Sequence, residues 1–238
     1  EISACLVGSE MCIRDSRDEA VSIMVDKANI AADTIKNNYD CCVAYYDEHL
    51  LEISIEQRRL LGEFEPALQN DEFVMYLQPQ VKRDGAAKGA EALVRWVHPS
   101  RGILTPYAFI DILENAGLIY KLDLYIWEKA AQKLAEWKEK GYGSYHISVN
   151  ISTKDFYIID IYETFTGLIN KYGIAASNLH LEITETTLMT DFEKNMNIIH
   201  KLQGVGFRVE IDDFGSGYSS LNMLKAVSYT HLTLPTIC

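Results

Sequence analysis

The distribution of apolar and polar residues predicts an alternation of strands and helices along most of the chain. Short apolar runs bounded by turn residues are typical of buried strands, whereas apolar residues at intervals of three and four are typical of amphipathic helices. The predicted strands cover residues 73–81, 88–97, 145–152, 179–186 and 206–212. The predicted helices between them cover residues 106–116, 121–140, 153–172 and 189–203.

The order of these elements predicts an α/β fold. Strands that alternate with helices run parallel, because each helix crosses back over the sheet. The first two strands are instead joined by the short segment KRDGAAK, residues 82–88. No glycine fingerprint of a dinucleotide-binding fold follows the strands, so the repeated strand–helix steps favour a (β/α) barrel of the TIM type over an open sheet.

A different pattern precedes residue 70. Residues 17–40 have the spacing of a helix, residues 41–47 that of a short strand, and residues 52–68 that of a second amphipathic helix. One helix and one strand cannot enclose a core. We therefore expect residues 17–51 to be the tail of another domain, residues 52–70 to be a linker helix that starts the barrel domain, and residues 71–226 to be the barrel.

Both ends of the chain have an unusual relation to each other. Residues 11–15, MCIRD, can be encoded by codons whose reverse complement reads VSYTH, the sequence of residues 227–231. Such a pair is typical of a translated sequencing adapter. We therefore expect residues 1–16 and 227–238 to be adapter-like artefacts, and we exclude them from the fold prediction.

Composition narrows the class of protein. Of the 238 residues, 48% are hydrophobic and 24% charged, which is ordinary for a soluble globular protein. The formal net charge of −12 argues against a DNA or RNA polymer as partner, since such proteins usually carry a basic surface. Outside the adapter-like ends only Cys41 and Cys42 remain, and adjacent cysteines fit neither a disulfide framework nor a zinc site. A reducing cytoplasmic location is therefore predicted.

Polar residues interrupt the predicted barrel strands near their carboxyl ends, where barrel enzymes place their active sites. Because an acid among apolar neighbours is costly to bury unless it is paired or bound to a metal, the set indicates a common site. Its oxygen donors suit Mg²⁺ or Mn²⁺ rather than zinc. The alternative for the tandem aspartates is a helix N-cap and turn. The residues are Glu91, Asn150, Glu182, Asp212 and Asp213.

The same positions carry a family resemblance. The segments EALVRWVHPSRGILTPYAFI, SVNIS, LEITET and IDDFGSGYSSL occur in this order from residue 91 onwards. Together they resemble an EAL domain, the phosphodiesterase that hydrolyses cyclic di-GMP, over residues 58–226. Residues 17–50 resemble the end of a GGDEF domain, without its signature loop. The resemblance implies a TIM-like barrel whose first strand is antiparallel, in agreement with the short turn between the first two strands.

The resemblance also implies roles for the residues of the site. Glu91, Asn150, Glu182 and Asp212 would bind two Mg²⁺ or Mn²⁺ ions, and Asp213 would bind the second ion and help to activate water. Glu185 would brace the loop that holds the aspartates, so that Asp213, Glu91 and Glu185 form the implied catalytic set. For Glu185 the residues themselves favour a purely structural role.

Three further residues would contact cyclic di-GMP according to the resemblance: Gln78, Leu93 and Arg95. The planar guanidinium of Arg95 matches a phosphate diester. The alternatives are that Arg95 and Trp96 form a packing pair and that Gln78 is a hydrogen-bonded interior amide.

The implied reaction is two-metal hydrolysis of cyclic di-GMP to linear pGpG. An EAL domain continues beyond YSSLNML with strands that bring a lysine, a glutamate and a glutamine to the site, so we expect a barrel that is incomplete at its C-terminus and a chain without turnover. A non-catalytic cyclic di-GMP receptor and a glycosidase with paired carboxylates remain alternatives. The resemblance also places GGDEF and sensory domains upstream, allows a membrane anchor there, and leaves a homodimer through the barrel open.

Overall fold

The computed structural model describes residues 20–35, 43–81, 85 and 87–212. The chain divides into two compact units, Glu1–Phe64 and Glu65–Cys238. The adapter-like ends lie outside the described residues.

The first unit contains helix α1 (Val21–Asp33) and the start of helix α2 (Glu48–Gln69). Helix α1 lies within the predicted span 17–40, and it ends where Thr34 Oγ1 donates a hydrogen bond to the carbonyl of Ala31. Helix α2 confirms that residues 52–68 are helical, and the role of residues 52–70 as a linker that starts the barrel domain stays a prediction. The predicted strand at 41–47 is wrong for residues 43–47, which form no regular element. The assignment of residues 17–51 to another domain stays a prediction.

The second unit is built on a sheet whose strands were largely predicted. They are β1 (Phe73–Val81), β2 (Ala87–His98), β3 (Gly102–Leu104), β4 (His146–Ile151), β5 (Leu179–Thr184) and β6 (Arg208–Asp212). Strand order is β1-β2-β4-β5-β6, with β3 paired to β2. The short β3 was missed, because three residues are too few to show an alternation.

Strand direction confirms the expected mixed sheet. Strand β1 pairs antiparallel with β2, whereas β2, β4, β5 and β6 pair parallel to one another. The parallel strands are joined through helices, as in a TIM-type barrel, so their carboxyl ends lie at one edge of the sheet.

Helices cover one face of this sheet. They are α3 (Ile110–Asn115), α4 (Ile119–Glu139), α5 (Asp155–Ile158), α6 (Ile161–Tyr172), α7 (Glu185–Thr190) and α8 (Phe192–Val205). Aromatic side chains pack helix α4 against helix α6, and helix α6 against the residue that precedes β6. The Trp127 and Phe165 ring centroids are 4.5 Å apart, and those of Phe165 and Phe207 are 6.0 Å apart. The core therefore lies between the helices and the apolar face of the strands.

Candidate functional site

The strand register places the predicted donors on the other face of the sheet. Glu91 of β2 is level with Ser148 of β4, and Asn150 is level with Glu182 of β5. Asp212 of β6 is level with Thr184 at the end of β5. Because side chains alternate between the two faces of a strand, these residues share one face near the carboxyl ends. The structure therefore brings together the described members of the predicted metal-binding set.

Asn150 is held by its neighbours on both sides. Its side-chain Nδ2 donates a hydrogen bond to Glu91 Oε1 at 3.2 Å. Its backbone carbonyl accepts a bond from Trp127 Nε1 at 3.0 Å. Since Trp127 is buried in α4, the helix layer fixes the strand end that carries Asn150.

Among the acids of the predicted donor set that the structure describes, Glu182 is the most buried, with 7% of its surface exposed. Burial and the negative charge of Glu91 raise its pKa to about 7, and Glu210 and Asp212 add to the effect. The hydrogen bond from Ser148 opposes it. A positive ion at this point would favour the charged form of the carboxylate, because it offsets both burial and repulsion.

Asp212 is half-buried at the end of β6, and Asp213 lies outside the described residues. Among the part of the chain that the structure describes, no group of three or more His, Cys, Asp or Glu side chains is arranged to hold a metal ion. The predicted set includes one amide and one undescribed aspartate. The register therefore shows only that the described members of the predicted set lie near one another. How they would coordinate a metal ion stays a prediction.

Glu185 occupies a different element from the one predicted. Strand β5 ends at Thr184, and Glu185 is the first residue of α7, with 3% of its surface exposed. The Thr184 side chain caps this helix by accepting from the backbone N–H of Thr187, and this cap ends the strand two residues before the predicted limit. The predicted bracing role of Glu185 remains a prediction.

The three predicted substrate residues lie along the first two strands. Gln78 is exposed and level with Glu91, while Leu93 and Arg95 follow Glu91 at two-residue steps on the same face of β2. Arg95 Nη1 donates to the carbonyl of Val94 at 2.8 Å, and its guanidinium lies 5.7 Å from the ring centre of Tyr76. The structure thus aligns these residues beside the acids.

Sequence reasoning missed a polar layer below the acids. It contains Gln80, His146, His180 and Glu210. Gln80 and His146 are both level with Gly89, whereas His180 is level with Ser148 and Glu210 with Glu182. Side-chain contacts connect these four residues. The signal was present in the alternation of polar residues in HISVN and LHLEIT, where every second residue of each strand is polar.

The family comparison agrees with this geometry. The model of the EAL domain family matches residues 62–236, which is most of the chain. The chain belongs to the EAL domain family. The matched range contains every residue of the predicted site, and the mixed sheet with its antiparallel first strand is the fold that the resemblance implied.

Curated relatives share this EAL region. The chain is 31% identical over 205 residues to the bifunctional diguanylate cyclase/cyclic di-GMP phosphodiesterase MucR of Pseudomonas aeruginosa, covering 86% of this chain and 29% of the relative. It is 33% identical over 158 residues to the cyclic di-GMP phosphodiesterase PdeR of Escherichia coli, covering 66% of this chain and 24% of the relative. The chain therefore spans less than a third of the length of these relatives.

Solved EAL structures show the same fold. The PaMucR phosphodiesterase in complex with c-di-GMP superposes with a TM-score of 0.71 at 33% identity, over 74% of this chain and 72% of that one. The Xanthomonas citri FimX EAL domain in complex with c-di-GMP gives a TM-score of 0.68 at 22% identity, over 76% of this chain and 70% of that one. The described residues contain no helix that is long and apolar enough to cross a membrane.

Proposed function

We propose that the chain carries the substrate and metal site of a cyclic di-GMP phosphodiesterase that hydrolyses one phosphodiester to give linear pGpG. The observation that carries the proposal is the placement of Glu91, Asn150, Glu182 and Asp212 on consecutive parallel strands of one EAL sheet. The similarity to MucR and PdeR supports the substrate.

The donor set fits a pair of hard divalent cations. Carboxylate and amide oxygens are the ligands that Mg²⁺ and Mn²⁺ prefer. The repulsion of Glu182 by Glu91 and Asp212 marks a place where positive charge would be favourable. We propose that Glu91, Asn150, Glu182, Asp212 and Asp213 hold two such ions.

In hydrolysis the side chains of the site would have separate roles. When bound, such ions lower the pKa of a water molecule and offset the charge of the scissile phosphate. Asp213 would take up a proton from the attacking water, and the Glu91 carboxylate would be oriented by Asn150. Glu185 would brace the aspartate-bearing loop from the first turn of α7.

Substrate recognition is proposed for the face beside the acids. Arg95 would bind a phosphate oxygen pair through its planar guanidinium, while Gln78 and Leu93 would contact the nucleotide. Because the chain carries a net charge of −12, the attraction for this anionic ligand must be local. It would come from the cations and from Arg95.

The wider setting is also a proposal. Since MucR combines cyclase and phosphodiesterase activities, a GGDEF domain upstream of this chain agrees with the resemblance of residues 17–50. We place the domain in the cytoplasm. A homodimer through the barrel remains open.

The proposal is tested by measuring cyclic di-GMP binding to the 238-residue chain. Hydrolysis is measured on the protein encoded by the complete reading frame. Calorimetry should show binding of cyclic di-GMP that strengthens at least tenfold with millimolar Mn²⁺ and weakens in Glu182→Gln. Glu193→Gln on the exposed start of α8 is the matched control and should bind as the parent does.

The product identifies the function class. Chromatography of the complete protein with Mn²⁺ should show conversion of cyclic di-GMP to pGpG that stops on chelation. Binding without conversion would instead make the protein a cyclic di-GMP receptor. Absence of binding and conversion would overturn the proposal.

A further inference from the structure

A layer of hydrogen-bonded side chains lies directly below the acids on the same face of the sheet. Gln80 of β1 is level with Gly89 of β2, which is level with His146 of β4. Gln80 Oε1 lies 2.8 Å from His146 Nε2 across this level. The Gln80 side chain thus reaches across β2 to β4, at the level of Gly89, two residues before Glu91.

The ring of His146 has a tightly defined place. A Cβ atom added to Gly89 would lie 2.6 Å from three atoms of this ring, so the ring rests on the glycine backbone. Its other face stacks on His180, with ring centroids 3.8 Å apart and planes 4° from parallel. His180 Nδ1 in turn lies 2.9 Å from Glu210 Oε1. Three strands therefore hold the His146 ring, and only glycine at position 89 leaves room for it.

When His146 carries a proton on Nε2, the ring fixes which way the Gln80 amide points. His146 donates from Nε2 to the carbonyl oxygen of Gln80, because an amide oxygen can only accept. The NH₂ group of Gln80 must then point the other way. It lies 3.3 Å from Glu182 Oε1 and 3.4 Å from Ser148 Oγ, and Ser148 is fully buried.

We propose that Gln80 is a positioning residue that orients the Glu182 carboxylate for cation binding. The amide holds carboxylate oxygen Oε1 and thereby fixes the orientation in which the Glu182 carboxylate would meet a cation. His146, seated on Gly89, sets the amide orientation. The inference rests on the proposed function, because it assumes that Glu182 binds a cation, and it adds residues outside the predicted donor set.

Mn²⁺ affinity of the 238-residue chain, measured by electron paramagnetic resonance, tests this role. Gln80→Met keeps an unbranched side chain of similar length but removes the donor. We expect a threefold to tenfold weaker Mn²⁺ affinity. The matched control is Gln132→Met in α4, which loses an exposed bond to the Tyr172 hydroxyl and should bind Mn²⁺ as the parent does.

A double-mutant cycle separates positioning from a general structural effect. In Glu182→Asp the carboxylate is retained but lies one methylene further from Gln80. If Gln80 acts through Glu182, Gln80→Met should weaken Mn²⁺ binding less than twofold in this background. Equal losses in both backgrounds would overturn the proposal, as would a Gln80→Met affinity within twofold of the parent.

His146→Leu provides a second, independent variant. It frees the Gln80 amide to rotate, so we expect a twofold to fourfold loss of Mn²⁺ affinity that is not additive with Gln80→Met. Thermal melting of each variant checks the fold, and if Gln80→Met does not fold, His146→Leu decides the matter. An unchanged affinity in His146→Leu would then contradict the role. If the parent chain itself binds no Mn²⁺, the proposed function fails, and this inference fails with it.

Discussion

The two faces of strands β4, β5 and β6 are made by alternate residues of the same short segments, yet they have opposite character. The face toward the helices is apolar throughout, and each of its side chains has at most 9% of its surface exposed. Its members are Ile147, Val149, Ile151, Leu179, Leu181, Ile183, Val209 and Ile211.

The opposite face carries His146, Ser148, His180 and Glu182, which are equally buried, and the half-buried Glu210. Its polar groups hydrogen-bond to one another, and the two histidine rings are stacked. Burial of the apolar face stabilises the fold, whereas the repulsion between neighbouring acids on the polar face destabilises it.

The largest expected effect comes from the apolar face. Leu181→Ala removes a fully buried side chain between β5 and the helices. We expect a loss of about 2–5 kcal/mol in the free energy of unfolding, measured by urea denaturation, because a cavity remains. Val205→Ala, at a side chain with 39% exposure, is the matched control and should change little. Similar losses at both positions would contradict the assignment of the core.

The next largest effect is a gain in the free energy of unfolding, and it comes from a substitution on the polar face. The pKa of Glu182 is raised to about 7, so its contribution to stability is present below the ordinary carboxyl pKa and is lost as the pH rises through 7. Glu182→Gln imitates the protonated form. Without metal it should stabilise the chain at pH 8 by about 1–3 kcal/mol and leave it nearly unchanged at pH 4.5.

Thermal melting at both pH values, with Glu193→Gln as control, measures this gain. Millimolar Mn²⁺ should raise the melting temperature of the parent more than that of Glu182→Gln. A variant that is less stable than the parent at pH 8 would show that Glu182 is not under electrostatic strain.

A smaller effect is expected from His146. Burial and the neighbouring His180 lower the pKa of His146 to about 4, and Lys88 and Arg208 act in the same direction against Glu210. The unfolded chain therefore binds the proton more tightly, and stability is lost as the pH falls from 6.5 toward 4. In His146→Leu the pH dependence of the melting temperature over this range should flatten. An unaltered slope would place the acid sensitivity elsewhere.

The smallest effect is expected outside the sheet. Glu136 on α4 lies 2.5 Å from both Lys133 and Lys140, which lower its pKa to about 2. Because surface ion pairs contribute little, Glu136→Gln should leave the melting temperature unchanged at physiological salt. A clear drop would mean that surface charge, rather than the contrast between the two faces, controls stability.

The local pattern was sufficient to predict most elements. Strand β1 was predicted with its observed limits, and helix α2 was predicted to within a few residues. The acids at the strand ends were found because a charge inside an apolar run is costly and therefore conspicuous. The end of β5 was placed two residues too late, since the cap of α7 depends on a side chain turning back onto its own backbone.

The sequence by itself determined the strand–helix order, the candidate donor residues and the resemblance to the EAL family, because these depend on residue types at short spacing. Only the tertiary structure decided which polar residues meet. The bond from Gln80 to Glu182 joins positions 102 residues apart, and the stack of His146 on His180 depends on the register of β4 with β5. Such contacts follow from the alignment of distant strands, which no local pattern encodes.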